Sequence, residues 1–325
     1  MKILIRLPNW LGDVVMSTAF VAAVRQLYAD AEIDVIIKKE LGGIASFIPG
    51  INTIHLFSKQ EYASLAGAYS FGKTLRPLQY DIFFNLPGSI SSATLGWATK
   101  ARKRIGFGRE GSFFLLTKVC RRPKNVHRVT EYISMLEQFA GITIPDTGVH
   151  MQTASHDKDD KRVIINFNSE AVSRRMPVSK GVELLTLLTH TFPAITFALV
   201  GGPKDSEYVE SVLSSISNRA NLQNYCGKTD LPGLASLMAG SVAILTTDSG
   251  PAHLANSVGL PVVVLFGAGN EHNTAPYNKQ DLTVLRANQL ICEPCVRNTC
   301  KLYGIPKCME LLDETKIINA LSPYI

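Results

Sequence analysis

The stretch TTDSGPAH, residues 246 to 253, brings a carboxylate (Asp248), a small hydroxyl (Ser249), a glycine (Gly250) and a histidine (His253) to one strand-to-helix junction. The strand is VAIL at 242 to 245, and the helix is expected from about Ala252 to Val258, ahead of Gly259. Ser249 or Gly250 suits the N-cap, and Pro251 suits the first helical position, whose N–H would have no intrahelical partner anyway. First-turn N–H groups and the positive end of the helix dipole favour an anion, and Gly250 lets a phosphate approach the backbone closely. Phosphate binding is the chemistry this pattern predicts. Taken alone, Asp248 and Ser249 would serve equally well as plain helix caps, so the rest of the chain has to decide.

A second carboxylate stands at a comparable junction. In LPNWLGDVVMSTAF, Gly12 and Asp13 open a long, largely buried helix just beyond the strand KILIRL. An aspartate there is a good cap, worth typically about 1 kcal/mol. It is also placed to take a proton at the edge of a cleft, opposite the anion site of the second half. One carboxylate facing one phosphate cradle predicts group transfer.

Three other motifs fail on context. GAYSFGKT at 67 to 74 fits the phosphate-loop pattern, which needs a strand before it and a helix after it; a helical stretch precedes it and Pro77 follows. Asp157, Lys158 and Asp159 spell the DxD of metal-dependent sugar transferases but sit in a polar linker. GAGNEH at 267 to 272 lacks the third glycine and the acidic partner of a dinucleotide loop. Cys292, Cys295, Cys300 and Cys308 have a spacing permissive for zinc that matches no standard finger or ribbon, so no metal ligand is assigned and a structural tail is the expectation.

The 325 residues, 46% hydrophobic and 18% charged, suffice for two domains with separate cores. No apolar run approaches the roughly 18 to 20 residues of a membrane span. Arg6, Pro8, Asn9 and Asp13 interrupt any secretory signal, so the expected location is cytoplasmic. The net charge of +6 is uneven: ten Lys or Arg against Glu110 lie between Lys100 and Arg128, which leaves −3 for the remainder. Such a segment suits a phosphorylated partner or an anionic membrane surface. Phe107, Phe113 and Phe114 within it could stack on bases, but no recognition helix or RNA motif accompanies them, and no nucleic-acid partner is expected.

The elements that must position these residues alternate between strand and helix. Strands are expected at Lys2 to Leu7, Ile33 to Ile37, Thr53 to Phe57, Asp81 to Asn85 and Lys103 to Phe107, with helices at Asp13 to Tyr28, Ser91 to Thr99 and Val129 to Phe139. Residues 141 to 161 read as a linker, which sets domains of 1–155 and 156–325. The second domain restarts with RVIINF, a helix from Val182 to Thr191, AITFALV, the turn GGPKD with Gly201 and Gly202, a helix from Ser206 to Ile216, a strand at Leu222 to Tyr225, a helix from Leu234 to Ala239, VAILTTD and PVVVLFG. Such alternation predicts an α/β protein of two doubly wound parallel sheets facing a cleft, with ligands at the carboxyl ends of strands.

Taken together, LPNWLGDVVMSTAF, FNSEAVSRRMP, LVGGPKD, TTDSGPAHLANSVGLPVVVLFG with its APY sequel at 275 to 277, and the cysteine-bearing tail resemble glycosyltransferase family 9, the ADP-heptose:lipopolysaccharide heptosyltransferases, in particular its heptosyltransferase II branch. The resemblance spans nearly the whole chain. It implies a GT-B fold of two Rossmann-like domains, the first binding the acceptor and the second the nucleotide sugar. It also implies inverting transfer of a heptose from ADP-heptose to a phosphorylated lipid A core, without a cofactor, at the cytoplasmic face of the inner membrane. Asp13 matches the proposed general base, and an upward pKa shift by desolvation would suit it to that task. Ser249, Gly250 and the following helix would bind the leaving diphosphate, with His253 beside it, and Asp248 would hold sugar hydroxyls. Gly201 and Gly202 belong to the same donor side. In FNSEAVSRRMP the family has a lysine two residues before a tryptophan and proline. Arg174 stands at the lysine position and Met176 at the tryptophan, which keeps the positive charge but alters its geometry. No carboxylate constellation demands Mg²⁺, so metal-independent chemistry is expected. Alternatives are a GT-B enzyme using another sugar nucleotide for a different surface glycan, or a sugar-nucleotide epimerase.

Overall fold

The computed structural model describes residues 1–109, 111–153 and 158–325. The expected 155/156 boundary and Asp157 of the DxD triplet lie outside the described residues. Two compact units emerge, Met1–Gln152 and Thr153–Ile325.

The first unit runs β1 (Lys2–Arg6), α1 (Leu11–Met16), α2 (Thr18–Leu27), β2 (Glu32–Lys38), β3 (Thr53–Phe57), α3 (Ser64–Thr74), β4 (Ile82–Asn85), α4 (Ile90–Ala98), β5 (Lys103–Phe107), β6 (Lys118–Cys120) and α5 (Arg128–Ala140). Its six strands are parallel in the order β3-β2-β1-β4-β5-β6. The central strands read as continuous apolar runs because helices cover both faces of a parallel sheet. Ile3, Leu4, Ile5, Val35, Ile36, Phe83 and Phe84 are accordingly fully buried.

The helix expected over Asp13 to Tyr28 is two helices. Ser17 Oγ donates to the Val14 carbonyl at 2.6 Å and Thr18 Oγ1 to the Val15 carbonyl at 2.8 Å, and these local bonds accompany the break between α1 and α2. GAYSFGKT lies inside α3, so it forms no phosphate loop at all. Its Gly72 instead lets α3 lie against the Leu95 carbonyl of α4, where a Cβ would overlap. The front of the expected linker packs on this unit: Val149 and Met151 are buried, and the Gln152 N–H donates to the Phe47 carbonyl at 2.8 Å.

The second unit runs β7 (Arg162–Asn166), α6 (Val178–Thr191), β8 (Thr196–Leu199), α7 (Ser206–Ser214), β9 (Leu222–Asn224), α8 (Leu231–Ala239), β10 (Ala243–Thr247), α9 (Gly250–Ser257), β11 (Val262–Phe266), α10 (Glu271–Thr274), β12 (Leu282–Arg286), α11 (Lys307–Glu310) and α12 (Glu314–Leu321). Its parallel order is β12-β11-β10-β7-β8-β9. Counted from each unit's own first strand, both sheets have the order 3-2-1-4-5-6, the dinucleotide-fold order. The direction of winding therefore reverses between β1 and β4 in one unit and between β7 and β10 in the other. Among the described residues no helix is long and apolar enough to cross a membrane.

Candidate active site

The reversal between β7 and β10 gathers the polar side chains of the second unit. Asn166, the last residue of β7, pairs with Thr246 of β10 in register, and its Nδ2 donates to Thr246 Oγ1 at 3.0 Å and Ser249 Oγ at 2.9 Å. Thr247 Oγ1 donates to the Asn168 carbonyl at 2.7 Å, and Asn168 Nδ2 to the Val200 carbonyl at 2.8 Å. Ser249 is the N-cap of α9, yet its side chain makes no capping bond; its hydroxyl donates to the Thr247 carbonyl at 3.1 Å. Pro251 occupies the second helical position, and Gly250 the first. His253 is buried in the first turn. The network rigidifies the junction; at the start of α9 Pro251 has no N–H and the Ala252 N–H donates to the Ser249 carbonyl at 3.1 Å.

Asp248 sits beneath this junction, 3% exposed. Arg174, on a short 3₁₀ turn at Val172–Arg174, places Nη1 3.2 Å from Asp248 Oδ2. That contact is an ion pair without hydrogen-bond alignment, because Asp248 Oδ2 and Arg174 Nε both lack a hydrogen-bond partner. Burial pushes the Asp248 carboxyl up to about 6, against the pull of Arg174 and Arg286 and with the help of Glu271. The sequence assigned Arg174 to phosphate and Asp248 to sugar hydroxyls; in the fold the two share one contact. The Arg174 turn is itself fixed from the cysteine-bearing tail, where the Ser173 N–H donates to the Asn298 carbonyl at 3.1 Å and Ser173 Oγ to that of Arg297. Met176, in the family's tryptophan position, is buried in the core.

Several contributors escaped the sequence reading. Arg286, from the outermost strand β12, donates to the carbonyls of Gly267 and Gly269, the latter at 2.5 Å, and pairs with Glu271 and the buried Glu293. It thereby brackets the loop after β11 against Asp248. Gly269 approaches Asp248 Oδ2 so closely that a Cβ would overlap it, which accounts for the second glycine of GAGNEH; the first, Gly267, lies against Cys308 and Met309. Asn166 was legible in principle as an amide interrupting the apolar run of RVIINF. Arg286 was not, since β12 itself was not expected.

The turn at Gly201 and Gly202 has its own structural account. Gly201 packs against Asn168 Nδ2 and the Cys226 thiol with no room for a Cβ, and the Gly202 N–H donates to Asp205 Oδ2 at 3.0 Å. Asp205 also pairs with Arg175 at 3.3 Å. Gly202 thus has its amide committed within the protein, and the pair touches the site through Asn168.

In the first unit, Asp13 lies in the first turn of α1, with about a quarter of its side chain exposed, and Arg128 Nε stands 3.4 Å from its Oδ1. Arg128 also pairs with Glu131 at 2.9 Å, which in turn meets Arg122 at 2.7 Å. The loop that delivers Asp13 is held by buried Arg6, which donates to Asn9 Oδ1 and the Leu7 carbonyl, both at 2.6 Å. Burial lowers the Arg6 guanidinium to about 10. Asn85, at the end of β4 beside Arg6 in the register, is fully buried, and neither of its amide atoms has a partner.

The six cysteines are free, and among the described residues no group of three or more His, Cys, Asp or Glu could hold a metal ion.

The model of glycosyltransferase family 9 (heptosyltransferase) matches residues 68–305. The chain is 26% identical to the lipopolysaccharide core heptosyltransferase OpsX of Haemophilus influenzae, over 84% of this chain and 81% of that one. It is 28% identical to lipooligosaccharide heptosyltransferase 2 of Haemophilus ducreyi, over 87% and 88%. Among solved structures, the ADP-heptose lipopolysaccharide heptosyltransferase II of Escherichia coli superposes with a TM-score of 0.84 at 23% identity, covering 100% of this chain and 98% of that one. The fold is therefore GT-B, as the strand–helix alternation and the resemblance led one to expect.

Proposed function

The chain belongs to glycosyltransferase family 9, the heptosyltransferases, and on that premise we propose that it transfers a heptose from ADP-heptose to the inner core of lipopolysaccharide. The observation that carries the donor half is the set of buried polar atoms without hydrogen-bond partners at the β7/β10 reversal: Asp248 Oδ2, Arg174 Nε and Asn168 Oδ1. Buried polar groups in folded proteins are nearly all paired, so such a cluster fits a polar ligand.

In this reading the diphosphate lies at the start of α9, against Ser249 and Gly250, with Arg174 balancing its charge and His253 fixing the first turn. Asp248 accepts from heptose hydroxyls. Gly201 keeps Asn168 in place for the same ligand, and Gly202 holds the turn through Asp205. The acceptor hydroxyl oxygen attacks the anomeric carbon as the bond to ADP breaks, its proton passes to Asp13, and the configuration inverts. Asp13 lies ahead of the residues matched by the family model, so its role rests on its place after β1 and on the LPNWLGD pattern. Arg128 beside it offers a fixed partner that orients the carboxylate. Basic residues between Lys100 and Arg128 meet the phosphates of the lipid A core, and the protein works in the cytoplasm, peripheral to the inner face of the inner membrane. The leaving group is stabilised by amides and Arg174 without a metal ion.

Mass spectrometry of a heptose-bearing lipid A core incubated with the protein and ADP-heptose tests the reading. A gain of one heptose is the expected product. Transfer from UDP-sugars with none from ADP-heptose would replace it with the reading of a different glycan.

A further inference from the structure

The two sheets share one strand order, so the junction after the fourth strand of the first unit, β4 to α4, corresponds to the junction after β10 in the second. Its residues, NLPGSISS from Asn85 to Ser92, again set a proline, a glycine and a serine at a helix start. Gly88 supplies a left-handed turn at φ +69°. Ser89 caps α4, its Oγ accepting from the Ser92 N–H at 3.2 Å. The N–H groups of Ile90 and Ser91 have no acceptor among the described residues, and they stand at the positive end of a nine-residue helix. Both residues are half-buried, so the helix start is open to a ligand.

Beneath this start lies Asn85, fully buried, with neither Oδ1 nor Nδ2 hydrogen-bonded. The pleat of β4 fixes which way it faces. The Phe83 ring lies against Gly96 of α4, where a Cβ would overlap it, and Asn85, two residues on, faces the same side. Phe84 turns the other way, with ring centroids 5.2 Å from Phe20 of α2 and 5.5 Å from Phe139 of α5. The unpaired amide is therefore at the carboxyl end of β4, on the face that α4 covers. Exposed Arg109 passes beside Gly88, its Cδ 3.9 Å from where a Gly88 Cβ would stand. From Leu86 to Arg109 the chain has no Asp or Glu to compete for these donors. An anion satisfies helix N–H groups, a guanidinium and the amide NH₂, but the amide oxygen needs a donor, which a hydroxyl provides. We propose that the start of α4, with Asn85 and Arg109, is a subsite for an acidic sugar: its oxyanion meets the Ile90 and Ser91 N–H groups and Arg109, and a neighbouring hydroxyl bonds Asn85. β1, whose exit loop carries Asp13, pairs with β4 in the sheet. The inference deepens the heptosyltransferase reading, assigning an acidic group to the acceptor's saccharide itself and not to its lipid anchor.

The test is a saturation-transfer NMR titration of the full chain with glucuronate, glucose 6-phosphate, glucose and inorganic phosphate, none of them lipid-linked. At least one acidic sugar should bind about tenfold more tightly than glucose, and whichever is tighter identifies the anion as carboxylate or phosphate. Ser91→Asp puts a carboxylate where the helix dipole welcomes one, so the melting temperature should hold while acidic-sugar binding weakens about tenfold or more. Asn85→Leu should weaken the acidic sugars about tenfold and leave inorganic phosphate little changed, since only the hydroxyl contact is shared out differently. Arg109→Gln, at an exposed position, should weaken every anion. Equal affinity for glucose and the acidic sugars, no binding of any of them, or wild-type affinity in Ser91→Asp and Asn85→Leu would overturn the proposal. Heptose transfer from ADP-heptose to a deacylated core saccharide separates the two readings. Transfer unaffected by Ser91→Asp would sink the subsite and leave the transferase standing. Acidic-sugar binding in a protein that transfers no heptose would do the reverse.

Discussion

Gly269 lies against the carboxylate of Asp248 with no room for a methyl group, on a loop that Arg286 holds by the carbonyls of Gly267 and Gly269. The buried acid cannot move aside easily, because Arg174 flanks the same oxygen. Gly269→Ala should therefore displace either the loop or the carboxylate, costing about 1 to 3 kcal/mol of stability as overpacking does. ADP-heptose affinity, measured by calorimetry, should fall at least about tenfold. Unchanged affinity would show that Asp248 stands apart from the donor.

Arg286 extends the same argument to charge. Its guanidinium pulls the Asp248 carboxyl down toward the charged form while its N–H groups shape the loop. Arg286→Gln keeps some hydrogen bonding and loses the charge, so the acid limb of the kcat/KM profile should move to higher pH. Arg286→Lys should restore the limb in part and the loop poorly, since an ammonium cannot span two carbonyls and two carboxylates as a fork does. A profile identical in all three proteins would mean that Arg286 only braces the fold.

Asp248 itself sets a pH window. Its carboxyl holds a proton up to about 6 in the fold, against an ordinary value of 3.8, so folding takes up a proton between those values. The group's stabilising contribution is complete below about pH 4 and is lost as the pH rises through 6, an effect on the order of 3 kcal/mol. Urea denaturation from pH 4 to 7 should show this fall in the wild type relative to Asp248→Asn. Donor binding should run the other way, rising as the carboxylate forms, and Asp248→Ala should impair it at every pH.

How much of this was legible follows from where the information sits. Asp248, Ser249 and Gly250 could be found because a strand end, a cap and a helix start are written within eight consecutive residues. The buried strands were equally plain, as apolar runs such as RVIINF and PVVVLFG admit few other readings. Edge strands β6 and β12 were missed: Lys118–Cys120 is three residues in a basic loop, and Leu282–Arg286 is only half-buried. With β12 went Arg286. Arg128, more than a hundred residues from Asp13, meets it only through the packing of α5 on α1, which no local pattern encodes. The break at Ser17 reflects hydroxyl bonds to the preceding turn, and apolar periodicity runs straight through them.

Asp13 offers the most direct separation of chemistry from binding. Asp13→Asn keeps the size while removing the proton acceptor, and the N-cap of α1 is Trp10, so turnover should drop by about 10² to 10⁴ with ADP affinity nearly unchanged. Near-normal turnover would remove Asp13 from the mechanism. Treatment with EDTA should leave the wild-type rate intact; a loss restored by a divalent ion would add a metal to the donor site.

Asn85 makes the converse prediction. It closes β4 at the strand reversal of the first unit, fully buried, with neither amide atom bonded. Such a residue costs stability by roughly 1 to 3 kcal/mol, a cost a fold tolerates where the amide serves a ligand. Asn85→Leu, similar in volume and apolar, should raise the melting temperature and lower transfer to the acceptor, with donor affinity unaltered because the proposed donor site is in the other unit. The opposite outcome, a less stable protein with full activity, would mean that the amide is satisfied by water and belongs to the core alone.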